Sequence, residues 1–145
     1  MIVLRPYQDE AVSNLYTKAT SLLGKVGNKT LVFRAPTGSG KTVIMAEFMK
    51  RLVEENKTGL QYSYIWAAPR QLHTQSKDKL EHYYYENKTL KCSYFEELAD
   101  KNIDENEILF LNWESINKED NIYIKENEND FNLSSVLQNI KDEGR

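Results

Sequence analysis

Apolar residues along this chain recur in two rhythms, a spacing of about three to four positions and short unbroken runs, and the two alternate. Tyr7, Ala11, Leu15, Ala19 and Leu22/Leu23 mark one face of a helix. Pro6 suits its first turn, where a missing N–H goes unneeded, and Gly24 supplies a stop. The run Thr30-Leu31-Val32-Phe33 reads as the first strand. The segment from Val43 to Leu52 reads as the next helix, with Ile44, Met45, Phe48, Met49 and Leu52 at helical spacing. Tyr62 to Ala68 reads as a second strand, apolar on both faces toward its end as a buried parallel strand should be, and Pro69 terminates it. Leu72, Ser76, Leu80 and Tyr83/Tyr84 set a helix from about residue 70 to 86. Leu90 to Phe95 gives a third strand, and Ile108 to Asn112 is the clearest buried strand after the first. The polar stretch from Asn117 to Asp130 reads as a mobile surface loop, and Leu133, Val136, Leu137 and Ile140 define a final amphipathic helix. Strand alternating with helix implies right-handed crossovers and a mostly parallel sheet with helices on both faces, a three-layer α/β fold.

Composition narrows the class without naming an activity. The 145 residues suit one domain with a substantial core, and 40% hydrophobic with 28% charged residues describes a soluble globular protein. A net charge of -3 gives no global attraction to nucleic acid, so any such contact has to come from a local basic surface. The lone Cys92 permits no internal disulfide, and with only His73 and His82 beside it no structural zinc set can be assembled. The start, Met1 to Pro6, has too short an apolar core for a signal peptide, and no run approaches membrane-spanning length. A cytoplasmic protein with no membrane contact is expected.

The chemistry concentrates in Ala35-Pro36-Thr37-Gly38-Ser39-Gly40-Lys41-Thr42, between the first strand and the second helix. A polyphosphate needs many donors converging on a compact anion. Gly38 and Gly40 let the backbone curl so that successive N–H groups point inward, and the following helix adds its positive end. Lys41 can reach the β- and γ-phosphates and the Thr42 hydroxyl can ligate Mg²⁺. An ordinary Gly/Ser loop would not require Gly-Lys-Thr at the strand-to-helix joint. Upstream, Gln8 offers an acceptor and donors that match the exocyclic amine and ring nitrogen of adenine. Standing alone it would be a solvated helix-start glutamine; its place ahead of a phosphate loop makes it a candidate base reader.

The joint from Pro69 to Gln75 lies at the carboxyl end of a strand, where open α/β sheets bind ligands. Arg70, Gln71 and Thr74, with main-chain N–H groups, can hold a sugar-phosphate backbone, or can be a plain first helical turn. His73 reads as a surface or satisfied histidine, because no carboxylate or nucleophile is spaced to work with it. The run His82-Tyr83-Tyr84-Tyr85 points its rings in different directions on a helix and reads as partly core, partly surface. Cys92 reads as a small core residue. Trp113, delivered to the same sheet edge, can stack a base or pack beneath its loop, and packing is expected.

Arg5-Pro6-Tyr7-Gln8 followed by the phosphate loop resembles the glutamine motif and motif I of superfamily 2 helicase-like proteins. The likeness is greatest to the group containing the motor subunits of type III and type I restriction enzymes. Pro69 to Gln75 is similar to motif Ia, with its Pro-x-x-x-Leu-x-x-Gln layout, whereas Asn112-Trp113-Glu114-Ser115-Ile116 departs from the Thr-Pro-Gly core of the next strand-touching motif. The resemblance implies a RecA-like P-loop NTPase lobe that binds ATP and Mg²⁺ through Arg5, Gln8, Pro36, Thr37, Gly38, Ser39, Gly40, Lys41 and Thr42. Lys41 and Thr42 would be catalytic and Thr42 would sit on the metal. Pro69, Arg70, Gln71 and Gln75 would touch nucleic acid, duplex DNA rather than RNA, in a parent protein that partners a methyltransferase or specificity subunit. Hydrolysis also needs an acidic pair at the end of an apolar strand. Asp142-Glu143 ends a helix and Asp104-Glu105 sits in a polar loop, so residues 1–145 read as the leading portion of an incomplete lobe, without motif II or a second lobe. Two other readings remain open, a P-loop kinase or other phosphotransferase and a non-catalytic interaction fragment.

Overall fold

A computed structural model describes residues 3–116 and 133–144. Helix α1 (Pro6–Leu23) begins at the proline and stops before Gly24, as the pattern requires. Helix α2 (Lys41–Glu55) follows the glycine-rich loop and ends at Asn56, in left-handed conformation. Strand β1 (Tyr64–Ala68), helix α3 (Leu72–Tyr84), strand β2 (Lys91–Tyr94) and strand β3 (Glu107–Asn112) come next, then the one-turn helix α4 (Trp113–Ile116) and helix α5 (Leu133–Asp142).

The three strands form a parallel sheet in the order β1-β3-β2, with Ala68 level with Asn112 and Tyr94 level with Phe110. All six residues of β3 are buried, because both faces of this central strand are covered. Ile108 and Phe110 pack against Ala46 and Met49 of α2 and Leu80 and Tyr84 of α3. Leu109 and Leu111 face the other way, into Phe95, Leu98 and Ile103 and the Val136 and Ile140 stripe of α5. The Tyr84 hydroxyl donates to the Ala46 carbonyl at 2.6 Å, tying α3 to α2 where a lone buried hydroxyl would be costly. Glu107, 1% exposed, accepts from the Ser93 hydroxyl at 2.6 Å and the Asp104 N–H at 2.8 Å, so its buried charge is compensated. Outside α2 lies α1, whose Val12 and Leu15 meet Ile44. The architecture is thus α/β, a parallel sheet between helical layers, as the alternation of strand and helix requires.

Four expectations need revision or fall outside what is described. Thr30 to Phe33 belongs to no strand; Leu31 and Val32 are exposed and only Phe33 packs, against the α1–α2 contact. An apolar run becomes a strand only if a neighbour completes its ladder, and none of the described strands pairs with it. The second strand is not buried on both faces: Ile65 and Ala67 are exposed, because the layer containing α5 covers β3 and stops short of β1. His73 is neither on the surface nor satisfied; it is buried edge-on to Tyr94, and its Nδ1 has no partner among the described residues. The loop from Asn117 to Asp130 lies outside the described residues. The tyrosine run does divide as its geometry requires, with Tyr84 in the core, Tyr83 half-buried and Tyr85 exposed. Cys92 is half-buried on β2, and burial pushes its thiol up to about 12.

Burial lowers the pKa of His73, only partly opposed by Glu96, so the folded protein takes up a proton there less readily than the unfolded chain does. Stability is therefore full above the ordinary histidine value of about 6.5 and falls as pH drops below it. The thermal midpoint of the wild type should fall further between about pH 7 and 5 than that of His73→Phe. Parallel curves for the two proteins would contradict the assignment.

Candidate nucleotide-binding site

The loop before α2 is built by two residues with backbone conformations that side chains resist. Gly38 has φ +83° and Gly40 φ +81°. The Ser39 N–H bonds the Pro36 carbonyl at 3.1 Å, closing a turn over Thr37 and Gly38 in which the positive φ falls at the third position. At the end of that turn α2 starts, with Gly40 at its N-cap and its carbonyl receiving the Ile44 N–H at 3.0 Å. Because Gly40 has no side chain to cap the helix, the first turn of α2 keeps its positive end toward the loop. Lys41 is exposed and Thr42 half-buried on that turn. The Ser39 hydroxyl is buried and has no partner among the described residues, an orphaned polar atom inside the loop itself. These residues suit a polyphosphate: left-handed glycines, an uncapped helix start, a buried hydroxyl without a partner among the described residues, and the exposed side chain of Lys41.

The hydrogen bonds from helix α1 to this loop converge on one acceptor. The Ser39 carbonyl accepts from the Tyr7 hydroxyl at 2.9 Å and from Gln8 Nε2 at 3.1 Å. Gln8 is only 9% exposed, and its Oε1 accepts the Arg5 N–H at 2.9 Å, so the glutamine also caps its own helix. These two bonds fix which end of the amide is oxygen. They leave one lone pair and one N–H, the complement that an adenine edge needs. Of Arg5 itself, the structure uses the main-chain N–H, and the side chain is exposed. A Cβ on residue 40 would stand 2.4 Å from Gln8 Nε2.

The second candidate site follows β1. Arg70 (φ +53°) and Gln71 (φ +60°) are both left-handed, an unusual pair for non-glycine residues. Their N–H groups are held from the end of β3: Arg70 N donates to Glu114 Oε1 at 3.1 Å and Gln71 N to Asn112 Oδ1 at 3.3 Å. The expected main-chain donors at this joint are therefore already engaged, while the side chains of Arg70, Gln71 and Gln75 and the ring of Pro69 are exposed. The Thr74 hydroxyl turns back to the Gln71 carbonyl at 2.9 Å. Trp113 does not pack beneath the loop; it is 52% exposed beside this joint.

The two sites lie toward the same end of a helix pair. Thr42 shares a cavity of about 300 Å³ with Asp78, Leu80 and Tyr83, Glu47 bonds the Tyr83 hydroxyl, and Lys50 lies opposite Glu86 and Asn87, so α2 and α3 run in the same sense. Leu72 precedes Asp78 by six residues, which carries the start of α3 ~9 Å past the level of Thr42. Sequence reasoning missed two participants, Tyr7 at the loop and Glu114 at the second joint. For Tyr7 a signal existed, its place one residue before Gln8; for Glu114 the signal was its delivery to the same sheet edge, which does not reveal its partner, 44 residues away.

The profile of the family described as type III restriction enzyme, res subunit, matches residues 1–143. No curated protein matches the chain.

Gly38 and Gly40 carry similar backbone strain, but a Cβ at Gly38 meets nothing within 4 Å whereas one at Gly40 meets the Gln8 amide. Gly40→Ala should therefore cost more stability than Gly38→Ala, by about 1 kcal/mol or more. The double substitution Gln8→Ala/Gly40→Ala should be less damaging than the two single losses added. Equal thermal midpoints for the two single variants would mean that Gln8 does not lie against the loop.

Proposed function

We propose, from a chain that belongs to the type III restriction enzyme Res-subunit family, a helicase superfamily 2-like group, that it is the ATP-binding part of a DNA translocase. The observation that carries this reading is the bond from the Gln8 amide to the Ser39 carbonyl, because it joins a base-matching side chain to a phosphate-shaped loop across 31 residues. ATP would lie with its phosphates against the loop from Pro36 to Thr42 and its adenine against the remaining donor and acceptor of Gln8. Lys41 would neutralise the β- and γ-phosphates and the Thr42 hydroxyl would ligate Mg²⁺, which supplies Lewis-acid stabilisation of the leaving phosphate. Duplex DNA would be gripped at Pro69, Arg70, Gln71 and Gln75, by side chains more than by the engaged amides. In the parent protein, turnover would be coupled to movement along DNA alongside a methyltransferase partner.

No described strand ends in an Asp-Glu pair, and Glu107, at the start of β3, is held by Ser93 and Asp104. Residues 1–145 are thus proposed to bind nucleotide as part of a first lobe without motif II, with little turnover of their own. No described helix is long and apolar enough to cross a membrane, in keeping with a reading as a cytoplasmic motor.

Three measurements test this. Calorimetry with ATP and Mg²⁺ should show binding that Lys41→Ala weakens at least about tenfold, the loss typical of a charge-assisted contact. Gln8→Ala should weaken ATP more than GTP, and equal losses would remove Gln8 from the base site. Arg70→Ala should weaken duplex DNA binding about equally across sequences and reduce the salt slope by about one. Robust DNA-stimulated phosphate release from this chain, abolished in Lys41→Ala, would instead place the catalytic acid within it.

A further inference from the structure

Helices α1 and α2 are joined at a second place, which neither the phosphate loop nor the family motifs involve. Arg51 stands ten residues beyond Lys41 on α2, ~15 Å along the helix axis. Its Nη2 donates to Asp9 Oδ1 at 2.6 Å and its Nη1 to the Ser13 hydroxyl at 3.1 Å, while its Nε lies 3.6 Å from Glu47 Oε1 on its own helix. Glu47 in turn accepts from the Tyr83 hydroxyl of α3. The Arg51 side chain is mostly covered, at 22% exposure, but Asp9 is 59% exposed, so the pair adds little to global stability. Asp9 is the residue after Gln8, and Ser13 lies one turn further along α1.

We propose that Arg51 is a specificity-determining positioning residue, which fixes the tilt of α1 on α2 and so holds Gln8 at the distance from the phosphate loop that an adenine nucleotide spans. This rests on the nucleotide reading given above. The physical case is one of leverage. The apolar contact of Val12 and Leu15 on Ile44 is non-directional, so together with the bonds at the Ser39 carbonyl it holds α1 against α2 while leaving α1 a pivot about the loop end. A second attachment far along α2 removes the pivot, and a planar guanidinium with two fixed donors does so better than an ammonium can. A nucleotide must satisfy the loop and the base contact together. If α1 tilts, the base contact is lost and the phosphate contact survives, so the affinity gained from a preorganised Gln8 disappears.

Three ligands separate these contributions: inorganic tripolyphosphate reads the loop alone, GTP the loop with an unmatched base, and ATP both. In calorimetry with Mg²⁺ on the 145-residue chain, Arg51→Gln should bind tripolyphosphate as the wild type does. Its preference for ATP over GTP should fall about fivefold, toward the value for Gln8→Ala. Arg51→Lys should fall between, because it can keep Asp9 but not the two-donor fork. Raising the salt should lower the preference of the wild type and leave that of Arg51→Gln unchanged, since an exposed pair is screened and the shared phosphate contribution cancels in the ratio. Asp9→Asn changes an exposed side chain, so it decides the matter if Arg51→Gln fails to fold, and it should lose the preference in the same way. An unchanged ATP:GTP preference in a variant that still binds tripolyphosphate overturns the role of Arg51 and leaves the nucleotide reading standing. Failure of the wild type to bind tripolyphosphate and ATP overturns both.

Discussion

One carbonyl oxygen, that of Ser39, is where the amino-terminal helix and the glycine-rich loop are fastened together. Two donors from consecutive residues of α1, Tyr7 and Gln8, converge on it. Gln8 can do so only because residue 40 has no Cβ, so its amide occupies the space a side chain would take. The identities of residues 8 and 40 are thereby bound to each other through a contact that is partly hydrogen bonding and partly exclusion. Helix α1, the loop and α2 behave as one unit, with the hydrophobic contact of Val12 and Leu15 on Ile44 supplying the bulk of the attraction and the polar contacts supplying the alignment.

Charge is distributed to match. Although the chain as a whole is acidic, Lys41 and Arg70, at the two candidate sites, project into solvent. The buried cation Lys77 is by contrast neutralised inside the fold, by Glu81 and Glu97 and by the face of Tyr94. Burial alone would lower its pKa; the carboxylates outweigh that and leave it raised. A net negative charge does not exclude local cations: Lys41 and Arg70 are exposed close to where helices α2 and α3 start, and neither side chain has a carboxylate partner among the described residues.

How much of this was legible in advance depended on the range of the interaction. Helices α1, α2, α3 and α5 followed from apolar spacing with Pro6 and Gly24 as punctuation, because the face of a helix is a local property of the chain. Strand β3 was legible as an unbroken apolar run, and the tight turn ahead of α2 from its glycines. What escaped was decided by partners distant in sequence. Thr30 to Phe33 has strand composition but lacks a ladder among the described strands, and β1 keeps one face exposed because the layer containing α5 does not reach it. His73, expected at the surface or satisfied, is buried with Nδ1 unpartnered among the described residues, because nothing in its spacing announces that Tyr94 closes over it. The Asp9–Arg51 pair spans 42 residues and carries no periodic signature at all.

The strand order has a further consequence, for the way the chain acquires its sheet. Strands β1 and β2 both pair with β3, which comes last of the three in sequence. During synthesis from the amino end, residues 64–68 and 91–94 leave the ribosome before their common template exists, and neither ladder can close until residues 107–112 have emerged. The nascent chain must therefore carry two unsatisfied strands, Trp66 and Tyr94 among them, through the interval in which the helices α1 and α2 can already dock. Cellular factors that shield exposed apolar segments would find their opportunity in that interval.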